Sequence, residues 1–428
     1  MKKILTLLTV FVIALAGCSG DSSETIENTS DEVLTIWGFY EGAPKAALDY
    51  YAEQTGKEVE YQAIGWGDFQ TKINTVIGTS DAPDILLLER SFMGTYVPSE
   101  NIISLDALMA GEESFEAYKT NTALATKGPG IVGDEVKALG WENTASAFFY
   151  RSDLASKCLG INSVEEMEKA TATIGDYTKL YEQLQASDDA TCSSMALISK
   201  PAFATGYLQS LGAYTFNEDG SYTIPKDFDK GLENLKTFMD SKAVYSPTSD
   251  ETQVTAGTQK DAFLGNIIAA WATQDTILYD QPGQWAIADT PLDFTAGGSY
   301  IAVTTNADTE MVKEFLNMTF LNETWLVDNM EMFGMVGNEV VMNKYLETAD
   351  GTNDYFGGQN TVEKFAQINA DIDYYVPVTQ YDSGLGGAID EAWTGYAIDK
   401  TYATPEEARN ALIAELQSLY PGLEVNVA

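Results

Sequence analysis

Residues 33–90 read VLTIWGFYEGAPKAALDYYAEQTGKEVEYQAIGWGDFQTKINTVIGTSDAPDILLLER, and the order of apolar runs in this stretch decides the fold class. Val33 to Gly38 is a short apolar run bounded by turn residues, which marks a strand. Ala43 to Thr55 carries helix formers and stops at Gly56, a residue suited to the left-handed C-cap position. Val59 to Ile64 is a second strand. Asp68 to Thr79 is a second helix, with Asp68 as its cap. Asp84 to Leu88 is a third strand, and its continuous apolar run is that of a strand covered on both faces. The order β-α-β-α-β is the signature of an α/β fold with a parallel sheet.

Later segments continue in kind. Glu135 to Leu139, Ala147 to Arg151, Ile267 to Trp271 and Tyr300 to Thr304 read as strands. Val164 to Ala186 reads as a helix interrupted near Gly175; Asp229 to Asp240 and Gln259 to Phe263 read as helices. Thr404-Pro405-Glu406-Glu407 is a capping box with proline at the first helical position, and the helix behind it places Ala408, Leu412, Leu416 and Leu419 on one face. There is no internal repeat and no Gly- or Pro-rich linker, which suggests lobes that exchange segments.

Composition narrows the chemistry. With 428 residues, 45% of them apolar, the chain has material for two or three cores. Its 24 basic and 64 acidic residues give a net charge of −40, which argues against nucleic acid as a partner. No histidine occurs anywhere. A Ser-His-Asp triad, a Cys-His pair and an HExxH metal site are therefore excluded, and no metal or cofactor is called for; a two-carboxylate glycosidase is not excluded.

The first residues read as an export signal. Lys2 and Lys3 precede a mostly apolar run, Ile4 to Ala16, too short to span a bilayer. Leu15-Ala16-Gly17-Cys18 looks like a bacterial lipobox, so residues 1–17 are expected to be removed and Cys18 to carry acyl chains, palmitate among them. Residues 18–32 are rich in Ser, Thr, Asp and Glu and are expected to form a disordered tether. The mature body would then sit on the extracytoplasmic face of the membrane, held by lipid. Cys158 and Cys192 are the remaining cysteines. In an exported chain they suit a disulfide, with two buried free thiols as the alternative.

Ligands of open parallel sheets bind beyond the carboxyl ends of the strands. The residues there share a recipe of an aromatic ring, a glycine and a planar polar side chain. They are Trp37, Tyr40 and Glu41 after the first strand, Trp66 and Asp68 after the second, and Glu89 and Arg90 after the third. Trp141, Glu142 and Asn143 lie beside a fourth strand, Trp271 and Gln274 after a fifth, and Gly298 and Tyr300 at a sixth. Sugars need these parts: a pyranose stacks its C–H face on an aromatic ring, and its hydroxyl pairs accept bidentate hydrogen bonds. Each aromatic has core packing as its plain alternative; for Asp68 the alternative is helix capping, and for Glu89 and Arg90 a surface ion pair.

Taken in order, several motifs resemble the extracellular solute-binding proteins of the maltose-binding type, family 1, which serve ABC sugar importers. They are Leu34-Thr35-Ile36-Trp37 with YAEQTGKEV (51–59), Trp66-Gly67-Asp68-Phe69 with Lys72-Ile73, and Ala82-Pro83-Asp84-Ile85. Further along come Tyr150-Arg151-Ser152-Asp153-Leu154 with Leu159-Gly160-Ile161, Ala262-Phe263-Leu264-Gly265-Asn266 through Trp271, Gly297-Gly298-Ser299, and Tyr355-Phe356-Gly357-Gly358-Gln359. Asn266 departs from the family pattern, which has lysine there.

The resemblance implies a periplasmic-binding-protein-like fold of type II: two α/β lobes, a hinge and an interlobe ligand cleft. The lobes would be 33–138 plus 290–343 and 139–289 plus 344–428. The function implied is capture of a carbohydrate, an oligosaccharide by the number of rings, by a monomer that delivers it to membrane permease subunits without catalysis. The other readings are a binder of a cationic solute such as a polyamine or peptide, motivated by the charge, a secreted glycosidase, and a surface adhesin.

Overall fold

The computed structural model describes residues 33–428 except 218, 242, 246–262, 274–280, 293, 334, 350 and 373–374. The export signal, Cys18 and the tether lie outside the described residues, as do Gln274 and residues 259–262 of the expected helix ending at Phe263. No helix among the described residues is long and apolar enough to cross a membrane.

Two five-stranded sheets organise the described chain. In the first, Val33–Gly38 lies between Glu58–Ala63 and Ile85–Glu89, all parallel, with Leu34 opposite Val59 and Trp37 opposite Leu86. Ser299–Val303 runs antiparallel beside Ile85–Glu89, and Ala138–Gly140 closes the far edge. The central strand is apolar because it is covered on both faces. Ile85 and Leu87 join Leu34 and Ile36 in one core, whereas Leu86 and Leu88 join Phe69, Ile73 and Tyr300 in another. The second sheet runs Val244–Tyr245, Ala196–Ser199, Phe263–Ala269, Ser146–Arg151, Trp285–Ala288.

The helices follow the local signals, with four corrections. Gly42–Thr55 ends on Gly56 at φ 72°, whose N–H reaches the Ala52 carbonyl at 2.8 Å. The second helix is Trp66–Val76, capped by extended Gly65; Asp68 falls in its first turn, where its charge favours the helix dipole, and makes no cap bond. The interruption expected near Gly175 lies at 171–173, two residues earlier, because Thr173 caps the second segment, Ile174–Gln185, with its hydroxyl. Phe263 opens a strand and does not close a helix, and that strand ends at Ala269, before Trp271. Leu419 is 46% exposed, since its helix, Pro405–Leu419, buries Ala408, Leu412 and Leu416 only.

Cys158, in helix Ser152–Leu159, is disulfide-bonded to Cys192, in helix Ala190–Ser194, with Cα atoms 5.5 Å apart. The chain passes from the first sheet to the second at residues 141–145 and returns at 289–298. These two passages pair with each other: Ser146 N–H donates to Phe294 O and Ala296 N–H to Thr144 O, both at 3.0 Å. A third passage follows helix Glu339–Thr348, where the Gln359 amide grips both N–H and C=O of Ile287 on the edge strand. One apolar core runs through all three passages, from Leu34 and Phe315 by way of Trp141 and Phe320 to Phe149, Ile287 and Phe365. The two sheets are thus joined by continuous packing along these passages.

Candidate functional site

A cavity of about 520 Å³ lies at the carboxyl end of the central strand Ile85–Glu89, inside the size range of small-molecule pockets. Glu89, Arg90 and Ser91 form its wall on the side of the first sheet. The local sequence turns the chain sharply there: the Glu89 carboxylate accepts the Ser91 N–H at 2.7 Å and so caps the helix Arg90–Tyr96. The Arg90 N–H donates to Gly298 O at 3.0 Å. Gly298 has φ +110°, and a Cβ there would come within 2.7 Å of Thr144, so this approach requires glycine.

The return passage supplies the floor with Phe294, Thr295, Ala296 and Gly297, next to Tyr300. The opposite wall comes from Thr205 and Gln209 of helix Lys200–Ser210, from Tyr214, and from Asp382, Ser383 and Leu385 at the start of helix Asp382–Ala397. Arg90 bridges the two walls. One guanidinium nitrogen donates to Asp382 Oδ2 at 3.1 Å and another to the Val376 carbonyl at 3.0 Å. The surface pair with Glu89, the plain alternative reading of these two residues, is not what forms: Arg90 makes a partly buried ion pair with Asp382. Close helix contact sets up the pair, since a Cβ on Gly94 would meet the Thr379 carbonyl at 2.3 Å.

A polar cluster stands beside this cavity. Tyr40 Oη donates to Glu142 Oε1 at 3.3 Å, and Ser299, paired across the sheet with Glu89, bonds both Tyr40 and the Glu142 carboxylate. Burial pushes the Glu142 carboxyl up to about 7, and the charge of Glu89 adds to the shift against the pull of the Ser299 and Tyr40 bonds. Burial, then the Glu142 charge, raises the Tyr40 hydroxyl far above its ordinary value, so it stays a donor. Tyr300 is raised likewise, by burial.

An aromatic shelf stands next to Ser91. Trp66 is 54% exposed, with its ring 4.6 Å from Phe92 and edge-on to Phe39 at 5.7 Å. A large exposed ring held by other rings is a ready stacking surface.

Of the residues singled out from the sequence, Glu89, Arg90 and Tyr300 line the cavity. Tyr40, Glu142 and Gly298 stand directly behind it, and Trp66 heads the shelf. Glu41 and Asp68 are exposed and outside the lining. Trp37 faces a separate groove with Thr35, Glu60 and Gln62, because the strand alternation turns it to that face. Trp141 is core: 3% exposed, its ring packs on Phe320 at 4.8 Å. Asn143 is fully buried and folds the passage, its N–H on Met335 O and its Oδ1 on the Ala145 N–H. The side chain of Trp271, like Gln274, is outside the described part.

Sequence reading missed Thr205, Gln209, Tyr214, Phe294, Asp382 and Ser383. Tyr381-Asp382-Ser383-Gly384 carries the same aromatic, polar and glycine recipe and was findable; Thr205 and Gln209 sit on an ordinary helix and carry no such signal. Among the described residues no group of histidine, cysteine, aspartate and glutamate is arranged to hold a metal.

The architecture has known counterparts. A binding protein associated with an ABC transporter of B. animalis subsp. lactis Bl-04, in complex with β-1,6-galactobiose, superposes with a TM-score of 0.68 at 20% identity, covering 92% of this chain and 99% of that one. The galacto-N-biose-/lacto-N-biose I-binding protein of Bifidobacterium longum, in complex with lacto-N-biose, gives 0.67 at 17% identity over the same shares. The cyclic α-maltosyl-1,6-maltose binding protein of Arthrobacter globiformis gives 0.67 at 14%, covering 90% and 99%. These likenesses establish the type II binding-protein fold of two α/β lobes with a cleft between them. No curated protein matches the chain in sequence. The model of the family described as bacterial extracellular solute-binding protein matches residues 38–324, well over half of the sequence, and the chain belongs to that family.

Proposed function

We propose that this protein is the substrate-binding component of an ABC importer and captures a carbohydrate, an oligosaccharide of two or more rings, in the 520 Å³ cavity. The observation that carries this reading is the cavity's make-up. Tyr214 offers a partly exposed ring above the buried rings of Phe294 and Tyr300, while Glu89, Arg90, Thr205, Gln209, Asp382 and Ser383 offer hydrogen-bonding groups that suit hydroxyl pairs. Trp66 extends the stacking surface beyond it. The neighbours of like fold hold galactobiose, lacto-N-biose and a cyclic maltosyl-maltose, by their names.

In this reading the lobes are 33–138 plus 290–343 and 139–289 plus 344–428, with strand Ala138–Gly140 of the first sheet at the crossing. The cleft shuts on the sugar, the closed monomer docks on the permease, and Cys18 carries the lipid anchor. Catalysis has no part in it. Thermal-shift titration against di- to tetrasaccharides, with spermidine, amino acids and divalent ions as controls, tests the reading. A ligand at a hundred times its Kd stabilises by about 2.7 kcal/mol, a clear rise in Tm. A response to spermidine alone would replace the carbohydrate reading with the cationic one, and hydrolysis of chromogenic glycosides would make the protein an enzyme.

A further inference from the structure

The ionisable groups around the cavity are unequal in sign. Among its described lining residues the charged side chains are Glu89, Arg90 and Asp382. Arg90 is the only base, and its charge is already spent: Asp382 lies at 3.1 Å and the Val376 carbonyl takes a second guanidinium N–H at 3.0 Å. A bound carboxylate or phosphate would have to share the guanidinium with Asp382, whose charge already offsets it. Glu89 has no basic partner among the described residues. Among the described residues its carboxylate accepts from Ser91, through N–H and hydroxyl. Behind it stands Glu142, close enough for the two carboxyl groups to feel each other, and Tyr300 between them senses Glu89, Glu142 and Arg90 together. With Glu89 and Asp382 against Arg90, the cavity lining carries a surplus of negative charge, and a ligand held in the cavity lies within a Debye length of it.

We propose that the cavity is a charge filter, with Glu89 as its determinant, that accepts neutral glycans and glycans bearing a protonated amino group and turns away sugar acids. The inference rests on the carbohydrate reading of the cavity. A uronate, a phosphorylated sugar or a sialylated one brings a like charge beside Glu89, and like-charge juxtaposition in a binding site is unfavourable. An ammonium group at the same place gains a charge-assisted hydrogen bond.

The test uses the full exported protein and calorimetric titration. A panel of gluco- and galacto-configured di- to tetrasaccharides is first screened in three forms: neutral, oxidised at C6 to the carboxylate, and substituted at C6 by an amino group. For a sugar that binds, the expectation is that the carboxylate form binds at least tenfold more weakly than the neutral form, and the amino form as tightly or more tightly. Glu89→Gln keeps an oxygen to cap the helix, and it should narrow the neutral-to-acid ratio at least threefold, whatever its absolute affinities. Acid and neutral forms of equal affinity in the wild type, or an unchanged ratio in a folded Glu89→Gln protein, would overturn the filter. If Glu89→Gln does not fold, the wild-type ratio decides alone. Binding of no member in any of the three forms would instead overturn the carbohydrate reading itself.

Discussion

Glu142 shows how one residue ties the site to the stability of the whole chain. Its carboxyl titrates at about 7 in the folded protein against an ordinary value of 4.5, raised chiefly by burial. An acid with a raised folded value holds its proton longer in the folded state than in the unfolded one. Its contribution is therefore fully present below pH 4.5, declines as pH rises through the window 4.5–7, and is gone above it. The loss is at most on the order of 3 kcal/mol. Glu142→Gln keeps an acceptor for Tyr40 and removes the titration. The variant should melt higher than wild type at pH 8, with the difference shrinking towards pH 5; an equal difference at both values would refute the shift. The tryptophans make a second contrast at this scale. Trp66→Ala should weaken sugar binding by about 1–3 kcal/mol with little change in the ligand-free Tm. Trp141→Ala should lower stability by about 3–5 kcal/mol, because it empties a packed position against Phe320. Reversed outcomes in parallel titration and melting experiments would move the site. Both rings follow the same sequence recipe; only what packs against them separates their roles.

Among the elements, the short helix Arg90–Tyr96 has its position set by a single glycine. Gly94 lets it lie against the Thr379 carbonyl, where a Cβ would come to 2.3 Å. Gly94→Val should force the two apart, cost about 1–3 kcal/mol by overpacking, and disturb the Arg90–Asp382 pair. Chemical denaturation reads the first effect, and weakened sugar affinity the second; a variant unchanged in both would show that the contact is loose. The helix pair Ser152–Leu159 and Ala190–Ser194 is held differently, by the Cys158–Cys192 disulfide across a sequence separation of 34. Closing a loop of that length stabilises by about 3–4 kcal/mol in the chain-entropy model, so the double Cys→Ser variant should unfold at correspondingly lower urea. Local signals located these elements well because caps and apolar periods act within a few residues. They misplaced the start of helix Trp66–Val76, because a glycine in extended conformation caps as well as an aspartate, and residue type alone does not choose between them.

For the whole molecule, the expected motion is closure of two lobes, and the structure narrows how it proceeds. The apolar core that runs through Trp141, Phe320, Phe149 and Phe365 joins the sheets at the chain passages, so closure is expected to pivot there. A ligand shifts such an equilibrium only by binding the closed state better, which a sugar touching both cavity walls does. Solution scattering should show a smaller radius of gyration on adding a bound sugar, with a change in tryptophan fluorescence as Trp66 loses water. A sub-millimolar ligand that alters neither signal would mean a rigid binder. Asp382→Asn weakens the Arg90–Asp382 ion pair across the cavity and should widen the ligand-free form in the same experiment.

What the sequence by itself determined is whatever depends on near neighbours along the chain. The βαβαβ opening follows from apolar period and cap residues between Val33 and Glu89. The absence of histidine removes whole classes of catalysis without any structure. The Glu89-Arg90 and Gly298-Tyr300 turns were legible as candidates because they lie at strand ends, and Glu89, Arg90 and Tyr300 line the cavity. The tertiary structure alone decided which distant pieces share the cavity: residues 89–91, helix Lys200–Ser210, the return passage at 294–297 and the start of helix Asp382–Ala397. It also decided that Trp141 and Asn143 are buried, that Trp37 faces elsewhere, and that Arg90 pairs with Asp382 and not with Glu89. Each of these depends on a partner hundreds of residues away or on the opposite face of a sheet, and burial and ion pairing are properties of what the folded chain brings near, which no local pattern encodes.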